Sequence, residues 1–161
     1  IGSLGGFASW QALDCGSKRA LVADLPSGER VACVHLTWTG PPAGGPRRGL
    51  EQLQEVLDAA PDLVGGDFNA LPAWPESQLM RASRYIPAGA PGATCNVNQW
   101  LQRLDEVWVR GHALSAVDLP TIEPNTALPG PLCPSDHLPV EVTVEVASIR
   151  TRAELFSGQL F

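Results

Sequence analysis

The chain has 161 residues and a formal net charge of -6, with 44% hydrophobic and 17% charged residues. This length suffices for one domain with a buried core, and the composition is that of an ordinary globular protein rather than a disordered one. The acidic balance argues against a broad surface for long nucleic acids, and no apolar run approaches the ~20 residues that a membrane span needs.

The ends of the sequence and its cysteines bear on where the protein works. Residues 1–7 are short, uncharged and rich in glycine, unlike a signal peptide, and we expect the true start to lie upstream of Ile1. The four cysteines lack C-x-x-C spacing, which argues against a zinc site. We expect reduced thiols, with Cys33 as a small buried residue, and on that basis favour an intracellular location.

The first elements predicted along the chain are a hairpin, a loop and a helix. Residues 19–25 and 30–36 read as strands joined by a Pro-Ser-Gly-Glu turn. Residues 40–49, rich in proline and glycine, read as a loop. Four apolar residues at helical spacing then predict an amphipathic helix that ends near Pro61; they are Leu50, Leu53, Val56 and Leu57.

A short buried strand follows at Leu63 and Val64, and residues 74–84 have the pattern of a short helix with Pro75 in its first turn. Three further strands are predicted, at residues 104–109, 113–119 and 139–146. The remaining segments read as loops at residues 87–92 and 120–134 and as a tail at residues 148–161.

Four polar clusters fall at the ends of apolar runs. The most informative is Gly65-Gly66-Asp67-Phe68-Asn69, and the others are His35-Leu36, Asp105 and Ser135-Asp136-His137. Asp67 and Asn69 point the same way if strand geometry persists between them. Aspartates, an asparagine and histidines at strand ends supply oxygen ligands for a hard cation, an amide to orient a phosphate oxygen and imidazoles to handle protons. This combination predicts hydrolysis of phosphate esters.

In this order the clusters resemble the endonuclease/exonuclease/phosphatase superfamily, the DNase I-like fold, from residue 19 to residue 146. The resemblance implies an α/β (or α+β) four-layer sandwich, in which helices flank two mixed β-sheets. Residues 1–147 would be the C-terminal portion of that domain and residues 148–161 a tail. The His35-Leu36-Thr37-Trp38 segment is most similar to the deadenylase, nocturnin and 2′-phosphodiesterase branch.

The resemblance also implies residue roles. Asp67 would position or activate the attacking water, Asn69 would hold the phosphate or the nucleophile, and Asp105 would orient His137. The implied catalytic set is His35, Asp67, Asn69, Asp105 and His137. The implied ligands of Mg²⁺ or Mn²⁺ are Asp67, Asn69 and Asp136, and the candidates for substrate contact are Thr94, Asn96 and Trp38.

One departure from the family pattern concerns the main metal ligand. Family members carry a glutamate at a strand end in their first half, but residues 1–34 contain only Glu29, which lies in a predicted turn. We therefore expect this chain to be the C-terminal portion of a longer enzyme whose N-terminal half is missing here. Alone it should bind metal weakly, show little or no activity and be poorly soluble.

Two classes of function stay open. The leading hypothesis is a metal-dependent phosphodiesterase or phosphatase that acts by in-line water attack, with RNA or a nucleotide among the candidate substrates. The alternative is a truncated or degenerate non-catalytic member retained for binding or assembly. Taken singly, Asp67 and Asn69 are also common turn formers and Asp105 an ordinary strand residue. A nucleic-acid-binding module without chemistry is disfavoured by the acidic charge.

Overall fold

A computed structural model describes residues 7–15, 18–38, 48–88, 92–97, 100–111, 113–116, 122–123, 125–126, 128–130 and 134–145. The elements in chain order are β1 (Ser9–Cys15), β2 (Lys18–Asp24), β3 (Arg30–His35), α1 (Arg48–Asp58), β4 (Leu63–Asp67), α2 (Pro75–Ala82), β5 (Ile86–Ala88), β6 (Cys95–Val97), β7 (Trp100–Gln102), β8 (Asp105–Val109), β9 (Ala113–Ala116) and β10 (Val142–Glu145). None of the helices in these ranges is long and apolar enough to cross a membrane.

The centre of the fold is a six-stranded mixed sheet in the order β1-β2-β3-β4-β8-β5. β3 and β4 are parallel, and α1 makes the crossover between them, whereas β8 runs antiparallel to β4. Two smaller antiparallel pairs, β9–β10 and β6–β7, complete the described strands. The register pairs His35 with Asp67 and Asp67 with Asp105, which brings three predicted site residues to one edge of the sheet.

One face of the sheet is covered by the two helices. A row of residues paired across four strands, Val22, Ala32, Val64 and Trp108, is 2% exposed or less. The helices complete this core with three fully buried side chains, Leu53, Val56 and Met80. The spacing of the apolar residues in α1 predicted this packing, since it places them on one side of the helix.

The opposite face is covered unevenly: Val31 and Val109, which point to it, are buried, whereas the row nearer His35 is open. Side chains alternate along a strand, so the residues between those of the covered row point to the other side. Leu21, Cys33, Gly65 and Val107 form such a row, and each is exposed or half-exposed. Cys33 is therefore half-buried, and the expectation that it is fully buried was wrong, because the sequence does not show that this part of the opposite face is open.

The mixed sheet with its helices confirms the predicted α/β class, and the hairpin, both helices, β4 and β8 lie where the sequence predicts them. β1, β6 and β7 have no counterpart among the predictions, and the predicted loop at residues 87–92 begins inside β5. Pro87 is tolerated there because β5 is an edge strand. The last strand is shorter than predicted, at Val142–Glu145. The predicted tail at residues 148–161, most of the predicted loop at residues 40–49 and about half of that at residues 120–134 lie outside the described residues, and the domain bounds stay a prediction.

Candidate active site

Three strands place candidate site residues at the same edge of the sheet, where β3 and β4 end and β8 begins. His35 and Asp67 are the last residues of the parallel strands β3 and β4, and Asp105 is the first residue of antiparallel β8. Alternation places all three on the open face. His35 Nε2 lies 3.5 Å from Asp67 Oδ2. The edge therefore gathers an imidazole and two carboxylates from residues far apart in sequence.

The turn after β4 locks Asp67 and Asn69 together. Asn69 adopts a left-handed backbone with φ 45, a conformation that asparagine tolerates. Its backbone N–H donates to Asp67 Oδ1 at 2.8 Å and its Nδ2 donates to Asp67 Oδ2 at 3.0 Å. Nδ2 also donates to the carbonyl of Leu36 at 2.9 Å, which ties this turn to the end of β3. Both carboxylate oxygens of Asp67 are thereby fixed in place.

A glycine makes this turn possible. Gly66 has φ 138, and a Cβ at this position would lie 2.1 Å from the carbonyl oxygen of Val34. Any side chain would collide with the neighbouring strand, so the close approach of β3 and β4 just before Asp67 requires glycine. The second glycine of the motif thus serves the site by bringing two strand ends together.

Asp105 and His137 form the predicted pair. His137 Nδ1 lies 2.7 Å from Asp105 Oδ2, so the other ring nitrogen, Nε2, is turned away from this carboxylate. The His137 backbone N–H donates to the hydroxyl of Ser135 at 3.0 Å, and His137 pairs with Cys95 across a single antiparallel bridge. The contact confirms that a residue from the Ser-Asp-His cluster reaches β8.

Burial and charge shift the pKa values of this group. Burial by itself lowers the pKa of His137, but its hydrogen bond to Asp105 and the nearby carboxylates outweigh burial and leave the pKa raised above 6.5. Burial also raises the pKa of Asp67, and the charge of Asp105 adds to this in the same direction. The thiol of Cys95 behind the site has its pKa raised to about 11, chiefly by burial. This thiol therefore stays neutral at physiological pH.

Two predicted substrate contacts, Thr94 and Asn96, are buried. The Thr94 hydroxyl accepts hydrogen bonds from the backbone N–H groups of Leu104 and Asp105, each at 3.0 Å. The Asn96 side chain donates to the carbonyl of Thr126 at 2.8 Å. These contacts give Thr94 a role in positioning Asp105, and direct contact of either residue with substrate stays a prediction.

Asp136 and Trp38 lie at the margin of the site. Asp136 is exposed, and its carbonyl accepts a hydrogen bond from the backbone of Asn96 at 3.3 Å. Trp38 is half-buried against Trp74, with their ring centroids 5.0 Å apart. Trp74 follows the Asp67–Asn69 turn and was not singled out from the sequence, since a lone tryptophan is usually a core residue.

The fit of the site to a divalent cation can be judged from its donors. Asp67, Asn69 and Asp136 offer the oxygen atoms that Mg²⁺ prefers. Among the residues that the structure describes, however, no three His, Cys, Asp or Glu side chains come together closely enough to hold an ion.

One residue at the site was missed altogether. Lys18 Nζ lies 2.9 Å from His35 Nε2. Nothing in the sequence marks this lysine, because it precedes the first apolar run and belongs to none of the four clusters. Only the pairing of β2 with β3 shows that it reaches the site.

A sheet edge with two carboxylates, an amide, two imidazoles and an ammonium group is typical of an enzyme that acts on phosphate esters. The chain belongs to the Endonuclease/Exonuclease/phosphatase family, whose sequence profile matches residues 12–137. All four clusters that carry the resemblance lie within the matched residues.

Solved structures with the same fold are similar to the chain at low sequence identity. A functionally unknown conserved protein from Enterococcus faecalis V583 is 18% identical, with a TM-score of 0.62 over 87% of this chain and 67% of that chain. A mannosyl-6-phosphatase from Bacteroides thetaiotaomicron VPI-5482 is 12% identical, with a TM-score of 0.64 over 88% and 67%. The human nocturnin catalytic domain with bound sulfate anion is 21% identical, with a TM-score of 0.58 over 87% and 60%.

These similarities establish the fold of the chain. The chain spans between 60% and 67% of the length of these three structures. No curated protein matches it significantly.

Proposed function

We propose that the protein carrying this chain hydrolyses a phosphate ester by in-line attack of water. The observation that supports this most is the Asp105–His137 pair at 2.7 Å, beside Asp67 at the same sheet edge. A carboxylate that holds one imidazole nitrogen orients the other nitrogen for a ligand. Membership of a family of nucleases and phosphatases supports the same chemistry.

Each candidate catalytic residue has a separate role in this reaction. Asp67 orients the attacking water and takes its proton, a role that its raised pKa favours. The water oxygen bonds to phosphorus, the ester P–O bond breaks, and the released oxygen takes a proton from solvent. The raised pKa of His137 favours its cationic form, which stabilises negative charge on the phosphate oxygens. His35 binds the same phosphate from the other side of Asp67. Asn69 uses both N–H bonds of its amide on Asp67 and Leu36 and so holds the Asp67 carboxylate in position for the water.

The proposal includes a divalent cation, Mg²⁺ or Mn²⁺. Its ligands from this chain would be Asp67, Asn69 and Asp136, completed by a glutamate outside residues 1–161. The oxygen chemistry of these donors supports it, as does the closeness of two carboxylates across β4 and β8. When bound, such a cation lowers the pKa of its water and neutralises charge on the phosphate.

The proposal also includes a substrate class and an N-terminal half of the same domain. RNA or a nucleotide, as in the deadenylase, nocturnin and 2′-phosphodiesterase branch, is supported by the half-exposed Trp38–Trp74 pair, on which a base could stack. The N-terminal half of the same domain would cover the open face of the sheet. The 60–67% coverage of the three solved structures supports this part.

A second candidate is a non-catalytic member that keeps the fold for binding or assembly. The observation in its favour is that the described residues bring together no group of three acidic, histidine or cysteine side chains able to hold a metal. In that case the site would bind a phosphate without turnover.

The test is an assay of the natural-length protein on phosphomonoesters and phosphodiesters, with Mg²⁺ or with EDTA. The proposal expects turnover that EDTA removes and that Asp67→Asn and His137→Ala each reduce by at least about a hundredfold. Asp58→Asn, an exposed carboxylate on α1, is the matched control and should leave turnover unchanged. No turnover on any ester, with phosphate binding intact, would favour the non-catalytic candidate.

A further inference from the structure

Lys18 is the only lysine in the sequence and the first residue of β2. Because β2 is antiparallel to β3, the start of β2 lies beside the end of β3, where His35 is located. The Lys18 ammonium lies 2.9 Å from His35 Nε2, and His35 Nε2 is also the atom that lies 3.5 Å from Asp67. A cation is therefore placed within the group of candidate catalytic residues.

This placement differs from that of two arginines at the other ends of the same strands. Arg30 lies 2.8 Å from Asp24 and Arg110 lies 3.9 Å from Asp62, and both arginines are at the opposite edge of the sheet from His35. Their charges are balanced by carboxylates. Lys18 instead contacts a ring nitrogen, which can accept from an ammonium group only in its unprotonated form. The contact therefore leaves the positive charge of Lys18 in place instead of cancelling it.

The surrounding charges give this cation a function. Asp67, Asp105 and Asp136 are all close enough to influence the pKa of His137, so the candidate site is rich in carboxylates. A phosphate anion approaching them needs a positive charge on its other side. An ammonium group has three N–H donors, and the bond to His35 uses one of them.

We propose that Lys18 binds the substrate by donating to a non-bridging oxygen of its phosphate group, next to His35. The inference rests on the phosphate-ester chemistry proposed above and adds a substrate-binding residue to it. Lys18 acts on binding and not on proton transfer. Loss of its charge should therefore raise KM for a phosphate ester, and the Kd of inorganic phosphate, by at least about tenfold, with a smaller change in kcat.

The direct test is acylation of the Lys18 amine by acetic anhydride in the natural-length protein, with inorganic phosphate as the probe. Peptide mapping reads this amine without ambiguity, because these 161 residues contain no other lysine. Phosphate is expected to slow acylation of Lys18 and not acylation of the chain's α-amino group. KM and kcat are measured in parallel for Lys18→Met, for the charge-keeping Lys18→Arg, and for Arg30→Met, which removes a positive charge from the other end of β3.

The outcomes separate this inference from the proposed function. Protection of Lys18 by phosphate, with a raised KM only in Lys18→Met, supports it. Protection without turnover on any ester keeps the inference and removes the hydrolytic function. Turnover with no protection, or with equal KM values in Lys18→Met and Arg30→Met, overturns the inference and leaves the hydrolytic function standing.

Discussion

The two faces of the six-stranded sheet differ in what covers them. On the helix side, Val64 and Trp108 are fully buried beneath α1 and α2. On the other side, Trp10 is 68% exposed, Leu21 39% and Ile86 55%. Val31 and Val109 also point to this side and are buried, so part of this face is covered within the chain. The exposed apolar side chains mark the part that the described residues leave uncovered, whereas the helix side is covered throughout its central row.

The candidate site lies on the edge of the open face. His35, Asp67 and Asp105 point to the same side of the sheet as the exposed Leu21. A segment that covers this face would also approach the site, whereas the helices pack on the far side. The core on the covered face therefore holds the strands that carry the site residues, whose side chains lie on the open face.

The largest expected effect is a loss of kcat from a substitution on the open face of β8. Asp105 lies on the open face of β8, and Asp105→Asn keeps its size while weakening the orientation of His137. In the natural-length protein we expect kcat to fall by about 10⁴-fold, as when an orienting carboxylate is replaced in another histidine-based site, with little change in the free energy of unfolding. The measurements are steady-state kinetics and denaturant unfolding. Near-normal kcat would remove Asp105 from the mechanism.

Three residues further along β8, Trp108 tests the covered face. Trp108→Ala should cost about 3–5 kcal/mol in the free energy of unfolding, because it leaves a cavity beneath α2. Ile86→Ala, in the neighbouring strand but 55% exposed, should cost about 1 kcal/mol or less. Urea unfolding of the natural-length protein measures both. A similar loss from the two variants would mean that Ile86 is buried against another part of the protein.

A third test concerns the solubility of residues 1–161 expressed alone. If the open face lacks its cover, Leu21→Ser and Ile86→Ser should each increase the soluble fraction, because they shrink an exposed apolar surface. Val64→Ser, on the covered face, should lower it by disrupting the core. Light scattering and soluble yield give the comparison. A chain that is already monomeric, with no gain from the serine variants, would show that its open face needs no cover.

The sequence predicted most of this arrangement where local patterns are strong. The hairpin of β2 and β3, the apolar spacing of α1 and the Gly-Gly-Asp-Phe-Asn turn depend on near neighbours, and the four clusters identified the candidate site residues. The contact of Asp105 with His137 needed the resemblance as well, because 32 positions separate the two residues.

Lys18 and the burial of Thr94 could not be predicted in this way. The position of Lys18 depends on the pairing of β2 with β3, and nothing near it in sequence indicates a site. Thr94 lies in a polar stretch typical of surface loops, yet its hydroxyl accepts two backbone hydrogen bonds that position Asp105. Cys33 shows the same limit for burial, since an apolar strand does not reveal which of its faces is covered.

The smallest expected effect is the pH dependence of the Asp105–His137 pair on the open face. Burial alone would lower the pKa of His137, but Asp105 holds it above 6.5. The folded chain thus binds this proton more tightly than the unfolded chain. The stabilisation is complete below the unfolded pKa of 6.5 and is lost as the pH rises through the higher folded value.

NMR titration of the His137 ring, without added divalent metal, measures this pKa directly. Asp105→Asn should lower the pKa, because the hydrogen bond and the charge of Asp105, which oppose the effect of burial, are then lost. The pH dependence of unfolding should flatten above neutrality in the same variant. Asp58→Asn, on the exposed side of α1, should change neither quantity. An unchanged His137 pKa in Asp105→Asn would show that the carboxylates of Asp67 and Asp136, and not the hydrogen bond, hold the proton on this ring.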